Sequence, residues 1–133
     1  MKTILLIISV IMSSLAYSQN NDHPILRISE LEIYPEYLSQ YKIILKEESA
    51  ASVKLEKGVI SIFPLYMKED STQFRILEIY ANKAEYEKHL KTEHFIKYKT
   101  STLKMVKSLK LVDMYALDET MMNILFKKYP YQN

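Results

Sequence analysis

The sequence predicts a small α+β sandwich, and three observations carry that expectation. Strand-like and helix-like segments follow one another in the order β-α-β-β-α-β between residues 25 and 116. The chain of 133 residues is 48% apolar and 26% charged, enough for one core and too apolar for disorder. No repeat, low-complexity tract or linker interrupts it between Pro24 and Asp118, so one domain is expected. The usual solution for this order is a ferredoxin-like sandwich, an antiparallel sheet with both helical segments on one face.

Each element has its own warrant. Ile25 to Tyr34 contains β-branched residues in partial alternation and reads as a strand. Pro35 closes it and opens a helix, because proline is tolerated in a first turn. From Tyr37 to Glu56 the residues Tyr37, Tyr41, Ile44, Ala51 and Leu55 recur at helical spacing, and Glu48 falls on the same stripe. Lys57-Gly58 ends that helix, with the single glycine of the chain expected as a left-handed cap. Val59 to Met67 is a second strand whose Pro64 cannot donate to a ladder, which predicts an edge position or a bulge. A polar turn, 68–73, leads into a third strand, Phe74 to Tyr80. Its alternation sets Phe74, Ile76, Glu78 and Tyr80 on one face.

Asn82, with Glu85 three residues later, makes a capping-box pattern ahead of a short helix carrying Tyr86, His89 and Leu90 on one side. Thr92 caps a second helical segment with Phe95, Tyr98, Thr102, Met105 and Leu109 on one face. Lys110 to Ala116 reads as the last strand. The tail, 117–133, is apolar for a terminus and is expected to pack on another surface. Such a sheet leaves one face without helices, and two copies packed face to face would hide it, so a homodimer is expected.

Ahead of the domain, residues 1–18 read as a cleavable signal peptide. Lys2 supplies the positive region, Ile4 to Leu15 the apolar run, and Ala16-Tyr17-Ser18 the small residues before cleavage. The run is too short for a membrane span, so no membrane partner is expected after cleavage. Residues 19–24 form an N-terminal extension to the domain, 25–116, and the location expected is periplasmic or secreted. One glycine excludes glycine-rich phosphate loops, and zero cysteines exclude thiolate, iron–sulfur and disulfide chemistry. With 18 basic and 16 acidic residues the formal charge is +2, too balanced for a nucleic-acid partner.

The segment from Phe74 to Lys99 resembles the signature of the antibiotic biosynthesis monooxygenase family. A glutamate and an aromatic end the third strand (Glu78, Tyr80), a short helix ends in His89-Leu90, and a Thr-x-His-Phe turn follows (Thr92, His94, Phe95). Pro35 and Gly58 match upstream. The resemblance implies a dimeric α+β barrel and a monooxygenase that oxidises a small aromatic or quinol-type substrate with dioxygen, without metal or other cofactor. A deprotonated diol is itself an electron donor to dioxygen, so the protein need supply a base, donors for developing charge and an apolar pocket. Relatives that degrade haem use a tryptophan where this chain has His89 and a histidine ligand near Lys99, which disfavours that branch. A non-catalytic dimeric barrel holding a small hydrophobic ligand, as in a stress response, fits the same motif, and haem binding without degradation is a third reading.

Under the leading reading His89 and His94 handle the proton, because imidazole titrates near neutrality, with Glu78 as orienter, although a carboxylate on that strand face taken alone reads as a base or an orienter of a histidine. The alternative for Glu78, and for Glu48, is a buried ion pair. Tyr41, Tyr66, Tyr80, Tyr86, Phe95 and Tyr98, with Glu48, would shape the substrate pocket, since tyrosine stacks on aromatic rings and offers a hydroxyl. A metal held by His89, His94 and Glu93 is not expected. A spacing of five positions between the histidines does not align them on one helix face unless a turn intervenes.

Overall fold

The computed structural model describes residues 23–125; the signal-type segment 1–18, most of the extension and the tail beyond Leu125 lie outside the described residues. The elements are β1 (Ile25–Ile33), a 3-10 turn (Pro35–Tyr37), α1 (Leu38–Leu55), β2 (Val59–Tyr66) and β3 (Gln73–Tyr80). Next come α2 (Lys83–His89), α3 (Glu93–Thr102), β4 (Val106–Met114), a 3-10 turn (Glu119–Met121) and α4 (Met122–Leu125). The strands pair antiparallel in the order β2-β3-β1-β4, the ferredoxin-like arrangement. Pro64 therefore sits on an edge strand, where its missing N–H costs no ladder bond on the open side. None of the described helices is long and apolar enough to cross a membrane.

Register decides which residues face the helices. Ile25, Arg27, Ser29 and Leu31 of β1 stand opposite Tyr80, Glu78, Ile76 and Phe74 of β3, and paired residues project to one side. The core on that side joins Leu31, Ile33, Phe74, Ile76 and Tyr80 to Tyr41 and Leu45 of α1 and to Met105. Tyr41 stands edge-on to Phe74 at 5.2 Å between ring centroids. Among the described residues no helix packs on the opposite face, which shows Phe63, Leu65 and Met114 to solvent.

Caps fall where the sequence placed them. The Asn82 side chain accepts from the Glu85 N–H at 2.9 Å, and Thr92 accepts from the Phe95 N–H. Four expectations need correction. Gly58 has no positive φ and is no left-handed cap. It is glycine because Glu85 crosses it: a Cβ built there would collide with Glu85 Cβ and Cγ. Leu55 is 69% exposed, because the buried stripe of α1 ends in polar residues, Glu48, Ser49 and Ser52. Leu109 belongs to β4, not to the helix, and β4 begins at Val106 rather than 110. The spacing of Thr102, Met105 and Leu109 suits a helix, but pairing of residues 106–114 with β1 overrides it. Met67 lies just past the end of β2.

The close approach at Gly58 sets a stability test. Gly58→Ala forces Glu85 out of its place at the start of α2 and lowers stability by about 1–3 kcal/mol, read as a lower midpoint in urea with an unchanged slope.

Candidate active site

A cavity of about 320 Å³ lies between the helix-facing side of the sheet and α2 and α3. That is room for a single aromatic ring with its substituents, at the low end for small-molecule sites. Its floor is the inward row of the sheet, with Arg27, Ser29, Glu78 and Tyr80; its wall is Tyr86, Phe95 and Tyr98. It opens along β4, where the lining residues Leu109 and Leu111 are about half exposed.

The alternation that makes β3 a strand also places Glu78 among apolar and aromatic neighbours. Burial raises its carboxyl above the ordinary range, while the Ser29 hydroxyl, donating at 3.1 Å, and the positive charge of Arg27 pull the other way. Arg27 donates from Nε to Asp113 at 2.7 Å and from Nη1 to the Tyr86 hydroxyl at 2.9 Å. With its oxygen occupied as an acceptor, Tyr86 keeps its own O–H free to donate to a bound ligand. Tyr98 shares a hydrogen bond of 2.8 Å with Tyr41, and burial pushes its phenol up to about 12, so it remains a neutral donor. Burial also raises the phenol of Tyr80. The cavity thus combines a buried carboxyl, a fixed guanidinium and neutral hydroxyls around an aromatic-sized space.

The histidines form a second group. His89 is buried at the end of α2 and packs on Phe95 (4.8 Å) and Tyr80 (5.4 Å), two cavity-lining residues, without itself lining the cavity. The turn between α2 and α3 brings the His94 ring to 6.2 Å from His89. Both rings donate to one oxygen, Glu56 Oε2, from His89 Nδ1 at 2.9 Å and His94 Nε2 at 2.6 Å. Glu48 Oε1 stands 3.8 Å from His89 Nε2 and accepts from Ser52 Oγ at 2.6 Å. Burial raises the Glu48 carboxyl, against the pull of Ser52 and His89.

Of the candidate residues, Glu78, Tyr80, Tyr86, Phe95 and Tyr98 line the cavity, while His89, His94 and Glu48 gather behind it. Tyr41 supports Tyr98 from the core, and Tyr66 lies on the edge strand under Lys42 (4.0 Å from ring centroid). Arg27, Ser29, Asp113 and Glu56 were not anticipated. A charged residue in the inward row of β1 was the available sign for Arg27; Glu56 gave none, since it closes a helix whose end faces the histidines only in three dimensions.

Fold and cavity define a ferredoxin-like α+β protein with an aromatic-lined cavity between sheet and helices. The chain belongs to the antibiotic biosynthesis monooxygenase family, whose sequence pattern matches residues 24–101. It is similar to a solved Bacteroides thetaiotaomicron protein bearing the family's name, with 42% identity over 74% of this chain and 93% of that one and a TM-score of 0.72. Two further solved proteins share the fold. A Lactobacillus acidophilus protein (24% identity, TM-score 0.69) is matched over 71% of this chain and 45% of its own length. A Nitrosomonas europaea protein (18% identity, TM-score 0.68) is matched over 74% of this chain and 94% of its own. Among curated proteins none matches the chain.

Proposed function

We propose that this protein is a cofactor-independent monooxygenase that oxidises a small aromatic diol with dioxygen in the cavity floored by Glu78. The observation that carries the proposal is a buried carboxyl facing an aromatic-lined space of about 320 Å³. Glu78 takes a proton from one hydroxyl of the diol, and Arg27 and the Tyr86 O–H stabilise the negative charge left behind. The electron-rich ring then reduces dioxygen and forms a carbon–oxygen bond with it. Cleavage of the O–O bond leaves one oxygen on the ring and releases the other as water. Diol plus dioxygen gives hydroxyquinone plus water, with all four electrons coming from the diol. His89 serves as a positioning residue, holding Tyr80 and Phe95 against the cavity from behind.

Mixing the metal-free protein with quinols under nitrogen gives no turnover, and admitting air starts it. Consumption of every quinol at the rate seen in buffer overturns the proposal.

The working form under this reading is a homodimer joined through the helix-free face of the sheet, and the exposed Phe63 and Leu65 support it. Phe63→Lys shifts light-scattering mass from dimer to monomer; an unchanged mass refutes that interface. Export through residues 1–18 completes the reading, and a mature N-terminus at Gln19, read by mass spectrometry of the exported protein, is its test.

A further inference from the structure

We propose that Glu48, His89 and His94 form a site for one divalent first-row transition-metal ion, with zinc as the reference ion, at the junction of α1, α2 and α3. One donor atom from each side chain lies within 4.8 Å of the other two. Bonds of about 2.0–2.1 Å to a shared ion hold tetrahedral donors about 3.3 Å apart. Side-chain rotations of about an ångström therefore close the set, with the metal–ligand bond lengths as the limit. His89 Nε2 and Glu48 Oε1, at 3.8 Å, are nearly placed already. Two imidazoles and a carboxylate are borderline donors that favour zinc, nickel or copper over magnesium or calcium.

Charge supplies an independent argument. Glu48 and Glu56 are both largely buried, and among the described residues no lysine or arginine comes within 4.0 Å of either. Their ion-pair partners are the two histidines alone. A dication balances two carboxylates while leaving both rings neutral with a lone pair to give. The tautomer of His89 is also set. Because His89 Nδ1–H is committed to Glu56, its lone pair lies on Nε2, turned toward Glu48. A carboxylate behind a histidine in this way is how metal-binding imidazoles are oriented. The ion would fasten α1 to the α2–α3 junction behind Tyr80 and Phe95, so it is a structural clip, and the inference does not rest on the oxidation chemistry.

The test uses the full exported chain, stripped with a chelator and dialysed. Zinc added in hundredfold excess over its dissociation constant raises the melting temperature by about 10 °C. Calorimetry finds one ion per chain, and cobalt in its place gives a visible absorption band. Both effects are lost in Glu48→Gln, which keeps the side chain's shape, and in His94→Ala. No melting shift with zinc, or binding that persists unchanged in both variants, overturns the site and leaves a hydrogen-bonded cluster only.

Discussion

Glu78→Gln lowers the rate of aerobic diol oxidation by about 10²-fold or more while the protein stays folded. Glutamine keeps the shape and a carbonyl oxygen for the Ser29 hydroxyl, but it cannot accept a proton from the substrate. The pH dependence follows from the direction of the shift. Burial holds the carboxyl above the ordinary range, so at acid pH it carries a proton and is inert as a base. The rate rises with pH through that raised value, and the acid limb disappears in Glu78→Gln. The stability effect has the opposite sign. Between the ordinary and the raised value the folded protein binds the proton more tightly than the unfolded chain, so stability falls as pH rises through that window. Glu78→Gln removes this loss, which distinguishes an inactive protein from an unfolded one. Steady-state rates and melting curves over the same pH series check both statements.

Tyr41→Ala destabilises the domain by about 3–5 kcal/mol, a large share of the roughly 5–15 kcal/mol that holds a domain together. Tyr41 is fully buried, meets Phe74 edge-on, and holds the Tyr98 hydroxyl at the cavity wall. Truncation opens a hole between α1 and the sheet and leaves the Tyr98 hydroxyl without its partner. Tyr41→Phe isolates the second part: it keeps the packing and costs about 1 kcal/mol. Urea denaturation of the two variants separates them. Equal losses would mean that the ring contributes nothing beyond its hydroxyl.

Much of this architecture is legible in the sequence. Two signals did most of the work: period-2 alternation in 74–80, which put Glu78 inward with Tyr80, and the proline in β2, which asked for an edge position or a bulge and sits at the edge. Caps at Asn82 and Thr92 were legible because a cap is a local bargain between one side chain and one N–H. What failed were signals whose meaning depends on a distant segment. Leu109 fits a helical stripe and a strand equally well, and only pairing with Leu31 decides. Gly58 gave the sign of a turn, yet the need for glycine comes from Glu85, well down the chain. The site divided for the same reason. Residue types at His89, His94, Glu48 and Glu78 all suggested acid–base work, but the sequence could not show that the histidines face Glu56 while Glu78 faces the cavity.

The oxygen balance of a single turnover bears most directly on the chemistry. With a quinol, an oxygen electrode and a peroxide assay, the account predicts one dioxygen taken up per diol converted, a hydroxylated quinone as product and no hydrogen peroxide. Uptake no faster than in buffer, or peroxide formed in step with the diol consumed, would contradict it.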